Sequence, residues 1–187
     1  MYWIRIVVTI VLTMVPALAS AQATKSAEPF AVGTFAFNGQ EGLGLVLRQQ
    51  LIVELNAANN NLQLEPGIAK ISMPADMLQL IEQYEYGLKF RLYEIVNHLV
   101  NTKQLDGQRP GFVHDAKTVR NLAPIRYPGK ILYAAGNFYT HTCEACTPQQ
   151  QAENDKKIRA NRGVPYLFLK PGKGAVIGNN QAIEMPV

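Results

Sequence analysis

The dipeptide Asn38-Gly39, set between two apolar runs, does most to limit what this chain can fold into. A two-residue hairpin loop of type I′ needs positive φ at both central positions, which Asn tolerates and Gly adopts freely. Residues 30–37 before it read as a strand, and residues 43–47 after it read as the returning strand. Residues 51–55 carry enough Leu, Ile and Val for a third strand, giving a small antiparallel meander. Gly42 and Gly44 mark places where another group comes close to the backbone. Residues 56–64 are polar and rich in Asn, and are expected to be turns.

The pattern then changes period. Residues 74–101 read as helical, with Asp76 as the cap and Met77, Leu80 and Ile81 as the first apolar positions. Gly87 is expected to split the segment in two, the second helix carrying Leu88, Leu92, Ile95, Val96 and Leu99. The aromatics Tyr84, Tyr86, Phe90 and Tyr93 are expected to pack in the core and at its rim, and His98 to sit at a helix C-terminus, where the dipole favours it. Residues 102–113 are loose, with Gly107, Pro110 and Gly111, and a domain boundary is expected there. The expected organisation is a small α+β domain over 24–112 and the opening of a second unit over 113–187. Within that unit, residues 122–125 and 130–135 read as strands, and 148–162 as a polar helix or flap. Residues 166–169 read as a short buried strand, and a turn-rich tail holds another around 175–177. His114 and Asp115, in the loose region, are not recruited to any site.

The first 23 residues are different again. One positive charge at Arg5 precedes an apolar run over residues 6–15, then Pro16 and small residues at Ala19, Ala21 and Ala23. That is the layout of a cleavable export signal, and the run is too short to span a bilayer. The expected location is secreted or periplasmic, with no membrane attachment once the signal is removed. The net charge of +4 is spread along the chain. Its densest patch, Lys156, Lys157 and Arg159, lacks interleaved aromatics, so no nucleic-acid partner is expected.

Chemistry-bearing residues concentrate in residues 128–146. Pro128-Gly129 is a turn, a short apolar strand follows, and Gly136-Asn137 leads into a polar segment with His141 and Glu144. Three residues apart on a helical turn, these two share a face. A carboxylate beside an imidazole fixes its tautomer and stabilises its cation, making an acid/base pair. Isolated pairs of this kind are more often plain surface side chains. Cys143 and Cys146 are the two cysteines of the chain. They are compatible with a short disulfide, a redox pair, two of three metal ligands with His141, or incidental neighbours. No second Cys pair and no βαβ pattern accompanies them, which ranks redox chemistry last.

Taken in order, Leu122-Ala123-Pro124-Ile125, Pro128-Gly129-Lys130-Ile131, Asn137-x-x-x-His141-x-x-Glu144 and Pro165-Tyr166-Leu167-Phe168-Leu169-Lys170-Pro171 resemble the fumarylacetoacetate hydrolase superfamily. Its catalytic domain opens with a PGKI strand, an NY-x-x-H-x-x-E turn and an FLKP strand. The resemblance runs from about Phe30 to Val187 and implies the start of a mixed β-roll catalytic domain after a small N-terminal one. It also implies cleavage of C–C bonds in oxo-acid or diketo-acid substrates, with Mg²⁺ (or Mn²⁺ or Ca²⁺) as cofactor. His141 and Glu144 would activate water, and Asn137, Tyr139 and Lys170 would contact substrate. A homodimer fits the same resemblance. The sequence departs from the pattern at Ala135, where the family has Gly, and at Phe138, where it has Tyr. The family's metal carboxylates, a Glu-x-Glu pair and a later Asp, have no counterpart, since Glu184 falls too early.

Two readings follow. One is the N-terminal part of an exported metal-dependent hydrolase or lyase, inactive or nearly so as this stretch alone. The alternative is an exported, non-catalytic remnant serving as a binding or structural module.

Overall fold

A computed structural model describes residues 23–161 and 163–183; the expected export signal and the end of the tail lie outside the described residues. The chain mixes helices and strands in an α+β fold built on a five-stranded antiparallel sheet. Strands β1 (Phe30–Phe37) and β2 (Gln40–Leu47) form the expected hairpin, in register from Phe30↔Leu47 to Phe37↔Gln40. Asn38 and Gly39 turn the chain at φ of 50° and 84°, as a type I′ loop requires. Strand β3 (Leu51–Glu54) pairs with β2.

The meander stops one residue sooner than expected, and the Asn-rich stretch is not a set of turns. Helix α1 (Leu55–Leu62) begins there. Asn is a poor helix former because its side chain competes for the backbone. Here Leu55, Ala58, Asn59 and Leu62 fall on one face and are all buried, and that burial outweighs weak propensity. The amide of the buried Asn59 donates to the Ile71 carbonyl at 2.9 Å. Gln63 donates to the same carbonyl, also at 2.9 Å.

Helix α2 (Met77–Gln83) starts at the expected cap, with the Asp76 carboxylate accepting from the Gln79 N–H at 2.9 Å. A wide turn over Tyr84–Leu88 then joins it to α3 (Lys89–Asn101). Gly87 makes that join at φ 114°, a conformation closed to most side chains. The core lies between one sheet face and the helices: Leu45, Leu47, Val53, Leu92, Ile95, Val96 and Leu99 are fully buried in one cluster. Phe30 and Phe90 both meet Tyr93 edge-on. Tyr86 and Ile81 depart from expectation and face solvent. Arg91 is buried, donates to the Ala69 carbonyl and pairs with Glu94 at 3.2 Å, tying the loop before α2 to α3.

Two strands from beyond the expected boundary complete this sheet. Strand β4 (Val113–Asp115) pairs with β3, and β5 (Arg120–Asn121) pairs with β1, giving the order β4-β3-β2-β1-β5. His114 lies in β4 opposite Ile52, its ring 5.4 Å from that of Phe37. Residues 122–125 are not a strand; the Thr34 hydroxyl donates to the Pro124 carbonyl at 2.9 Å and holds them against β1.

Strands β6 (Ile131–Ala134) and β7 (Leu167–Lys170) form a separate two-stranded antiparallel ribbon. Helix α4 (Pro148–Ala160) lies between them in sequence. The strand expected to be buried around 166–169 is exposed along its whole length as β7, and residues 175–177 form no strand.

Candidate functional site

The ribbon and α4 frame the turn that carries the chemistry. Strand β6 runs into Gly136-Asn137, and a 3-10 turn over Tyr139–Cys143 follows. The His141 N–H donates to the Phe138 carbonyl at 3.0 Å, and the Cys146 N–H to the Cys143 carbonyl at 3.0 Å. Cys143 and Cys146 are joined as a disulfide, which closes the turn around Glu144. Of the alternatives open in the sequence, the disulfide is the one present. The thiolates that metal ligation would need are therefore engaged with each other.

His141 Nδ1 and Glu144 Oε1 are in hydrogen-bonding contact. An ionised carboxylate only accepts, so Nδ1 carries the proton, and in the neutral form of the ring the Nε2 lone pair is free. Both side chains are mostly in water, with His141 62% and Glu144 71% exposed. They line an open depression of about 570 Å³ together with Ala134, Asn137 and Phe138.

Asn137 lines the same depression as the pair. Lys170 does not reach the depression. It pairs with Ile131, and its ammonium lies 3.8 Å from the centre of the Tyr133 ring. Tyr133 and Ala134 are consecutive in β6 and point to opposite faces, so Lys170 is on the face away from Ala134. The backbone of Tyr139 opens the turn, and its side chain lies outside the described residues.

Helix α4 is fastened to the turn by residues that the sequence left undistinguished. The Asn154 amide donates to the Thr142 hydroxyl at 2.7 Å. Asn154 and Lys157, one helical turn apart, line a second depression of about 470 Å³ that shares Ala134 and Asn137 with the first. Their i,i+3 spacing on a polar segment was the only signal available. The helix begins with a reciprocal capping box. Gln150 N–H donates to the Thr147 hydroxyl at 3.4 Å, and Thr147 N–H to the Gln150 side-chain oxygen at 2.9 Å. Pro148 follows at the first helical position.

A hard divalent cation takes about six oxygen ligands, several of them carboxylates or waters. Among the described residues no group of three His, Cys, Asp or Glu side chains could hold a metal ion. The turn offers one imidazole and one carboxylate, already bound to each other. These residues do not fit the implied Mg²⁺.

Among the described residues, no helix is long and apolar enough to cross a membrane. No protein-family model matches the chain, and no curated protein matches it in sequence.

Proposed function

We propose that the turn around His141 and Glu144 is the base-bearing part of an exported hydrolase or lyase. Its substrates are small oxo acids or diketo acids, as in the fumarylacetoacetate hydrolase superfamily that the motifs resemble. The observation that carries this reading is the His141 Nδ1–Glu144 contact, which leaves Nε2 unengaged by Glu144 in a ring that lines an open depression with Asn137. A water bound at Nε2 gives it a proton, while Glu144 holds the tautomer and stabilises the imidazolium. The resulting hydroxide adds to an oxo carbon. The adjacent C–C bond then breaks, its electron pair passing to the neighbouring carbon as an enolate. That carbon takes the proton back from the imidazolium. The Asn137 amide supplies N–H donors for the developing oxyanion, a role that gains strength where water is excluded.

A specific observation favours the second reading, a non-catalytic binding or structural module. The pair is largely exposed, so the described residues supply a base but not the dry, electrophilic surroundings that make such a base effective. A homodimer or a further chain segment closing the depression would reconcile the two.

The test is turnover of a 2,4-diketo acid with Mg²⁺ present, comparing the protein with His141→Ala. The catalytic reading expects a loss of about 10²–10⁴-fold in kcat, the usual contribution of a general base. Equal rates in the two proteins would remove His141 from the mechanism, and no turnover in either supports the module.

A further inference from the structure

Two half-buried cysteines bracket the carboxylate on which the pair depends. Cys143 and Cys146 are joined as a disulfide, and Glu144 stands between them in the chain. His141, its hydrogen-bonding partner, lies two residues before Cys143. The cross-link therefore sits inside the segment that sets one carboxylate against one imidazole.

A disulfide stabilises a fold chiefly by restricting the unfolded chain, and more so the longer the loop it closes. This one closes four residues and reaches no strand of the sheet or the ribbon. It adds little to the fold as a whole. Its effect is on the turn itself, where no residue from 141 to 147 is buried. Area removed from water does not hold this turn in place. Besides the disulfide, its ties include the His141 N–H on the Phe138 carbonyl and the Cys146 N–H on the Cys143 carbonyl. The Asn154 amide on the Thr142 hydroxyl is another. A single turn held by a few hydrogen bonds in water is marginal, because fixing its dihedrals costs more than those bonds return. Covalent closure shifts that balance. Neither cysteine belongs to the buried core and both are partly open to solvent, so a dissolved thiolate can reach the bond.

We propose that Cys143–Cys146 is a thiol–disulfide exchange site that switches the His141–Glu144 pair. The reactant that opens it is a small dithiol. One thiolate of that reductant attacks a sulfur of the disulfide, the other cysteine leaves as a thiolate, and a mixed disulfide forms. The reductant's second thiolate attacks the reductant's own sulfur in the mixed bond and releases the first cysteine. Two electrons pass to the protein, the dithiol ends as a disulfide, and its two protons end on the cysteine sulfurs. With the closure gone the turn loosens, Glu144 spends part of its time away from Nδ1, and the imidazole loses the partner that fixes its tautomer. Reoxidation restores the pair. That the switch governs a reaction rests on the reading of His141 as a base; the exchange and its effect on the pair do not.

The test treats the full chain with dithiothreitol under native conditions, then reads alkylation by intact mass and the imidazole nitrogen-15 resonances. Two alkylated cysteines per chain are expected, with the circular dichroism of the folded protein retained. In the neutral ring of His141, the proton is expected on Nδ1 before reduction and exchanging between the two nitrogens after it. Cys143→Ser combined with Cys146→Ser is expected to give the reduced pattern with or without dithiothreitol. The reductant experiment stands by itself if that variant fails to fold. Cysteines alkylated without reductant, cysteines freed only after urea unfolds the chain, or a His141 tautomer unchanged by reduction would each overturn the proposal. None of these readouts involves turnover, so a failure of the hydrolase reading is told apart from a failure of the switch.

Discussion

The sheet with its helices and the ribbon with its turn are held together by different means. In the first, Leu45, Val53, Leu92, Ile95 and Leu99 are buried completely between a sheet face and the helices α1, α2 and α3. In the second, α4 buries no residue, and Leu167, Phe168 and Leu169 of β7 are all exposed. What orders the second region is a strand ladder, a capping box and a disulfide that closes four residues of chain. The first region is stabilised by area removed from water, a cooperative and non-directional effect. The second is stabilised by hydrogen bonds and covalent closure, which act on the few residues they join. A catalytic pair placed on the second region inherits its exposure.

That comparison can be broken by paired truncations. Leu92→Ala removes a fully buried side chain and is expected to cost about 2–5 kcal/mol, while Leu169→Ala on the exposed ribbon stays within about 0.5 kcal/mol. Urea denaturation followed by circular dichroism measures both. A cost at Leu169 approaching that at Leu92 would mean that the ribbon is covered in solution, and the contrast would collapse.

A smaller effect sharpens the same contrast. Thr147→Ala removes the capping hydroxyl of α4 and is expected to destabilise that helix by about 1 kcal/mol. Amide exchange along α4 should quicken while the sheet's denaturation midpoint stays put, because α4 contributes nothing to the buried core. A shift of the midpoint by the full amount would show the two regions unfolding as one.

The smallest effect is electrostatic and belongs to the edge of the sheet. The Arg109 guanidinium donates to the Asp115 carboxylate at 2.9 Å and holds its pKa below the ordinary value. A carboxylate whose pKa is lowered on folding adds stability above its unfolded pKa, and that stability is lost as the pH falls through the lowered folded value. Arg109→Gln is therefore expected to be slightly less stable than the unaltered protein at neutral pH and indistinguishable from it once Asp115 is protonated in both. Denaturation midpoints measured from pH 7 down into the carboxylate range check this. A difference that persists at the acid end would assign the effect to packing of the Arg109 stem.

Elements whose signal is local were legible in the sequence. The Asn38-Gly39 turn, the Asp76 cap, the break at Gly87 and the helix after Thr147 are each dictated within a few residues. The His141–Glu144 contact was legible for the same reason, since a single turn brings side chains three apart together. Helix α1 was not. Its three consecutive asparagines speak for turns, and only the fit of Leu55, Ala58, Asn59 and Leu62 into the core, with Ile71 to receive the Asn59 amide, makes them helical. The burial of β7 was misjudged in the opposite sense, because an apolar run announces a wish to be covered without saying whether anything covers it.

By itself, then, the sequence determined turns, caps and neighbours along the chain, because dihedral preferences and short-range hydrogen bonds act between residues a few positions apart. Tertiary structure alone decided that β4 and β5 return to flank the first sheet, and that Lys170 faces away from the depression beside His141. Such outcomes depend on which distant surfaces meet, and that is set by the free energy of burying area across the whole fold, which no short stretch of sequence contains.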